Sequence, residues 1–228
     1  LPIFATGTIA LMDGVTILDT CSLQGLDPNA CGLTTSAIVA GTRSITARYL
    51  GDAAYAPATS AAVAQTVLQA GSTTVLFGNA NASTYGDAVT FPVVVTTVDG
   101  SIATGSVSLS DGSTTVGSCL LSNGACEITT SDLAGGSHSL TARFDGDANH
   151  VGSVSAPVVQ LVNQVGTTTT IAATPASAVY GSEITLSATV TPAAATGTVT
   201  FLDSATPIAT CQLSAGSCSA AVTTLRAG

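Results

Sequence analysis

The stretch TGSVSLSDG (104–112) decides the fold, because it recurs as TGTIALMDG (6–14) and TGTVTFLDS (196–204). Repetition at such a spacing marks a unit that is copied whole. The cysteines keep the same frame. Eight residues separate Asp13 from Cys21, Asp111 from Cys119 and Asp203 from Cys211, and ten separate Cys31 from Gly41, Cys126 from Gly136 and Cys218 from Gly228. A second block, GTRSITARYLGDAAYAPATSAAVAQTV (41–67), returns as GSHSLTARFDGDANHVGSVSAPVVQLV (136–162). A third, STTVLFGNANASTYGDAVTFPVVVT (72–96), returns as TTTTIAATPASAVYGSEITLSATVT (167–191).

Only the middle copy contains all three blocks. The expected organisation is a partial repeat at 1–68 lacking its opening strands, a complete repeat at 71–164, and a partial repeat at 167–228 lacking its closing strands. The frame reads as a window on a longer array. Apolar inner-face residues of the partial copies, among them Ile9, Leu11, Val199 and Phe201, are expected to stand exposed unless something covers them, which favours association in solution.

Within each copy the hydrophobic period is two. Val89, Phe91, Val93 and Val95 alternate with Thr90, Pro92, Val94 and Thr96, and Leu140, Ala142 and Phe144 alternate with Ser139, Thr141 and Arg143. Such alternation gives a strand one buried face. Short strands between Tyr-Gly-Asp, Asp-Gly and Asn-Gly turns, with no helical period, read as an all-β antiparallel sandwich of about seven strands per repeat. Pro92 has no N–H to give a ladder, so an edge position or a bulge is expected there.

The 228 residues are 46% hydrophobic but only 7% charged, and Arg43, Arg48, Arg143 and Arg226 are the whole basic complement. A net charge of −9 opposes contact with phosphate backbones and anionic lipid, which sets nucleic acid aside as a partner. No apolar run approaches the roughly 20 residues of a spanning helix, so no membrane insertion is expected. Without Lys, no Lys-to-Asn cross-link can form. The absence of Trp leaves few flat platforms for sugars.

The Thr-rich openings, the YGD before a strand, the TG-x-V-x-(L/F)-x-D strand, GSHSLTARF and the FDGDAN turn together resemble the bacterial immunoglobulin-like repeats of group 3 type. The resemblance covers nearly the whole chain. It implies tandem Ig-like sandwiches of a secreted or cell-surface protein, serving as a spacer or adhesion module without a reaction of their own.

CLLSNGAC (119–126) has counterparts in CSLQGLDPNAC (21–31) and CQLSAGSC (211–218). An even set of cysteines copied with its unit reads as three disulfides, Cys21 with Cys31, Cys119 with Cys126 and Cys211 with Cys218, in an oxidising compartment. Structural zinc needs four ligands where each unit offers two, and no Cys-x-x-Cys supports a redox dithiol. On one hairpin face, Cys119 opposite Cys126 predicts a connecting loop of more than two residues. Closing so short a loop contributes about 2.5 kcal/mol.

Asp145, Asp147 and Asn149 have the alternating oxygen spacing of a calcium loop, but His150 stands where such loops need Gly, and no Glu closes the set. The simpler reading is a Gly-Asp turn. His138, matched with Thr42 of the first copy, is expected at the rim, since no Ser-His-Asp set repeats around it. Asn81-Ala82-Ser83 is a formal glycosylation triplet. Tyr85 and Tyr180 are expected to pack at the core edge.

These readings converge on a non-enzymatic spacer without a cofactor, its partners being neighbouring repeats and its short linker Gln164-Val165-Gly166 limiting bending. The alternative is an adhesin or carbohydrate-associated module that binds a surface protein or glycan through a loop found in one copy. LQGLDPN (23–29) and DGDANHV (145–151) are the candidates.

Overall fold

The structure is a computed structural model that describes residues 4–24, 30–78 and 81–223. Every regular element among them is a strand. The chain divides into two compact units, Leu1–Asn163 and Gln164–Gly228.

In the first unit, β1 (Thr6–Asp13), β2 (Thr16–Gln24), β3 (Gly41–Tyr49), β4 (Ala58–Thr59) and β5 (Val63–Val67) form one antiparallel sheet, with β1 between β2 and β3. The middle repeat follows with β6 (Ser72–Leu76), β7 (Ser83–Thr84), β8 (Val89–Thr97), β9 (Ser106–Asp111), β10 (Thr114–Leu120), β11 (Ala125–Thr130), β12 (Gly136–Gly146), β13 (Val151–Val154) and β14 (Val158–Asn163). Strands β11-β8-β6 make one sheet, and β10-β9-β12-β14-β7 make the other, with β13 also on β12. The two close over a single core.

The alternating residues build that core as their period requires. Phe91, Val93, Val107, Leu109, Leu140 and Ala142 are fully enclosed, and Ile128, Phe144 and Val162 complete the layers. Tight turns sustain the register. Asp111 pairs with Thr114 across a two-residue turn in which Gly112 has φ 56°, a value that costs glycine nothing.

Pro92 does not lie at an edge or a bulge. It sits in β8, the central strand of its sheet, in unbroken register opposite Glu127. Its carbonyl accepts from Phe77 N at 2.9 Å, so its missing N–H faces the β6 side. There β6 has already ended at Leu76, and only one terminal bond of the ladder is forgone.

In the first repeat, residues 30–35 match β11 but carry no strand. The reason lies in pairing: β11 is held by β8, and among the described residues β1–β5 have no such strand beside them. Ile9 and Leu11 are half-buried rather than exposed. The open part of the face lies further along, where Thr35, Ser36, Ile38, Ile45 and Val67 line a groove beside Val63, which is 64% exposed.

In the second unit, β15 (Thr168–Thr174), β16 (Ile184–Thr191) and β19 (Ser217–Val222) form one sheet, and β17 (Thr198–Asp203) pairs with β18 (Thr206–Gln212). The expected exposure of Phe201 is corrected too, since it is 3% exposed in a cluster with Leu186, Ala188 and Val222. Val199 is half-buried against the same cluster. One hairpin facing three strands suffices to enclose these side chains.

Candidate functional site

The cysteines pair as their spacing predicts: Cys21 with Cys31, Cys119 with Cys126 and Cys211 with Cys218, at Cα separations of 6.2, 6.0 and 5.8 Å. The expected loop is corrected. Ser122 pairs with Ala125 around a two-residue turn, Asn123 at φ 52° and Gly124 at φ 76°. Beyond that pair the strands diverge, β10 joining β9 and β11 joining β8. Cys119 and Cys126 therefore bridge two sheets instead of facing each other along one ladder. Cys211 in β18 and Cys218 in β19 do the same around Ala215-Gly216. A bond placed there ties the layers together at the rim of the core, and its chemistry is consumed in doing so.

The three residues spaced like calcium ligands lie at the end of β12 and in the turn that follows it, and their side chains accept from N–H and O–H donors of the chain. Asp145 Oδ1 accepts from Arg143 Nε at 2.8 Å on the surface. Asp147 Oδ2 accepts from Thr104 N at 2.9 Å and Thr104 Oγ1 at 3.1 Å. Its Oδ1 accepts from Asn149 N and His150 N, each at 2.9 Å, and from His150 Nδ1 at 2.7 Å. Asn149 Oδ1 points elsewhere, accepting from Ala40 N at 3.0 Å. Each of the three is thus held by different partners, Arg143, Thr104 with the following backbone, and Ala40. Among the described residues no group of three or more His, Cys, Asp or Glu is arranged to hold a metal.

Burial, the largest influence on Asp147, would raise its carboxyl. The bonds from His150, Thr104 and Asn149 outweigh it and hold the group well below the usual carboxylate range. The first repeat repeats the device: Asp52 accepts from Thr6 N, Ala54 N and Tyr55 N, each at 2.7 Å, and Thr6 N leads the bonds that depress it. Asp52 and Asp147 thus build the same turn. What differs is the pair that follows, Ala54 and Tyr55 in one copy, Asn149 and His150 in the other.

His150 is 2% exposed, with Nε2 2.7 Å from Ser101 Oγ. Ser101 Oγ in turn donates to Asp99, and that bond leads the influences lowering the Asp99 carboxyl. The turn also receives the preceding linker. Ala70 N donates to Asn149 O at 2.8 Å, Val151 N to Ala70 O at 2.9 Å, and Gln69 Nε2 to Asp147 O at 2.8 Å. These joints escaped the sequence reading, because Asn149 meets Ala40 across 109 positions. The one available signal was the contrast between GDAAY and GDANH at matching places.

His138 does lie at the rim, but its counterpart is Arg43 and not Thr42. His138 Nδ1 donates to Asp111 Oδ2 and Nε2 to Ala134 O, both at 2.7 Å. Arg43 bonds Val39 O at 3.2 Å and stands 3.8 Å from Asp13 Oδ2. Asp111 and then the Ala134 carbonyl push the His138 imidazole upward against the effect of burial.

Asn81 of the glycosylation triplet acts as an extra rung on β14, donating from Nδ2 to Val159 O at 3.3 Å and accepting from Leu161 N at 2.8 Å. Tyr85 and Tyr180 do not pack at the core edge, being 58% and 82% exposed. Their turn precedes β8 or β16, and the nearest inward position belongs to Val89 or Ile184. Of the LQGLDPN loop, residues 25–29 lie outside the described residues.

The family model of the bacterial Ig-like domain (group 3) matches residues 2–68, 76–163 and 169–228. No curated protein matches the chain. Among solved structures it is similar to the Clostridium thermocellum CbhA fibronectin(III)-like modules, with 14% identity and a TM-score of 0.34 over 72% of this chain and 82% of that one. Three matches in one frame account for nearly all of the sequence, and the chain belongs to the bacterial Ig-like domain (group 3) family.

Proposed function

We propose that the chain is a non-enzymatic spacer of a secreted or cell-surface bacterial protein, its repeats holding other domains apart. Family membership suggests a structural or binding module, and the disulfides are compatible with an extracellular setting. The observation that carries the spacer reading is the parallel pairing of β7 with β14, Val162 beside Ser83 and Asn163 beside Thr84. These are near the entry and exit of the middle repeat. Tension on the chain pulls the start of one strand and the end of its parallel neighbour in opposite directions, so their hydrogen bonds are loaded together. Tyr85 N adds a further bond to Asn163 O at 2.8 Å.

The alternative, a module binding a protein or glycan through one loop, is less favoured because the polar groups of the 145–151 turn are already paired within the chain. Glycan arrays and cell-binding assays on the whole chain test the choice. The spacer reading expects no saturable binding. Specific binding abolished by replacing residues 145–151 with residues 50–56 would overturn it.

A further inference from the structure

We propose that the turn after β12 is the docking element between successive repeats, and that Asn149 and Gln69 fix the joint between the first repeat and the second. The inference deepens the spacer reading and rests on it only for its purpose.

The joint is attached at separate points. Asn149 O accepts from Ala70 in the linker, whereas Asn149 Oδ1 accepts from Ala40, just before β3 in the body of the first repeat. Ala70 forms a bridge beside His150, and Gln69 Nε2 reaches Asp147 O. Ser72 Oγ donates to Val151 O at 2.6 Å, carrying the attachment into β6. A linker held at one place can still swivel. Bonds to both linker and preceding sheet oppose twist as well as bend.

The receiving surface is built before anything docks. Asp147 ties the turn to Thr104, and the enclosed His150 is braced by Ser101 and Asp147. Little conformational freedom then remains to be lost on docking. The cleft between the repeats, bounded by Ala40, Leu68, Ala70, Asp99 and Asn149, measures only 220 Å³. Pockets for small molecules begin at roughly 300 Å³. Its size suits a joint better than a ligand site.

The two copies of the turn show which positions are free to vary. Asp52 and Asp147 keep the same bonds to Thr6 or Thr104 and to the backbone that follows. The second and third residues after each Asp change, from Ala54 and Tyr55 to Asn149 and His150. The constant residue makes the turn, and the variable pair selects what sits against it.

Residual dipolar couplings on the full chain test the joint. The first repeat and the middle repeat of the unaltered protein are expected to share one alignment tensor. Asn149→Ala and Gln69→Ala, alone and together, are expected to lose that common tensor, while core signals of Phe91 and Phe144 stay in place. If Asn149→Ala disturbs the core signals, Gln69→Ala decides alone, since it lies outside the sandwich. Separate tensors in the unaltered protein, or a common tensor retained in the double variant, would overturn the proposal. The spacer reading fails by a different readout, saturable ligand binding.

Discussion

His138 Nδ1 stands 2.7 Å from Asp111 Oδ2, and at the matching place Arg43 Nη1 stands 3.8 Å from Asp13 Oδ2. Two different cations thus latch the start of one strand to the end of its neighbour. They differ in titration. His138 gives both ring protons to oxygen acceptors, and this raises its proton affinity in the folded state. Its contribution to stability is fully present below its ordinary value of about 6.5 and is lost as pH rises through the higher folded value. Denaturant unfolding across that window should show the middle repeat weakening with rising pH, and His138→Arg should remove the slope. An unchanged slope in the variant would detach the latch from stability.

The Asp147 turn has the opposite sign. Its folded carboxyl is depressed, so its contribution is present above the ordinary value near 3.9 and disappears as pH falls through the folded value. Asp147→Asn keeps the shape but replaces an acceptor oxygen with a donor facing N–H groups. A loss of about 2 kcal/mol is expected at neutral pH, with a shallower acid transition. Calorimetry of the variant at neutral and acid pH checks both, and full stability in Asp147→Asn would contradict the role assigned to its oxygens.

Turn chemistry offers a test internal to the molecule. Asn123 adopts φ 52° and Gly112 φ 56°, whereas the second unit asks the same of Ala215 at φ 49° and Ser204 at φ 55°. A side chain without a local hydrogen bond is poorly suited to this region. Ala215→Asn and Ser204→Gly should each stabilise that unit by about 0.5 to 1 kcal/mol. Thermal unfolding would show the gain, and a loss would mean that these turns are not shaped by backbone preference.

Removing the sulfur bridge of the middle repeat with Cys119→Ser and Cys126→Ser should cost about 2 to 3 kcal/mol through loop closure. The same change should loosen one sheet from the other. Hydrogen exchange would show it as faster opening of both β10 and β11. Faster exchange in only one would mean that the bridge does not couple the layers.

Much of this architecture is legible in the sequence because it is local. Period-two alternation placed Phe91, Val93, Leu140 and Phe144 inward, and the repeated cysteine frame identified the pairs. The partitioning of strands between sheets was not legible. Cys119-to-Cys126 spacing suits one ladder or two layers equally, and the choice depends on β8 and β9, which compete for the two arms. Pro92 misled for a related reason: a central strand tolerates it where its neighbour has ended, and that ending is a tertiary fact. The joint at Asn149 was hidden most deeply, since its partners lie in the linker and in another repeat.

Stretching single copies of the full chain from its two ends tests the spacer account most directly. The middle repeat should yield in one high-force event, and Tyr85→Pro, which removes the N–H donated to Asn163, should lower that force while the fold persists. Gradual extension at low force, or an event whose force ignores Tyr85→Pro, would contradict a spacer held by the pairing of β7 with β14.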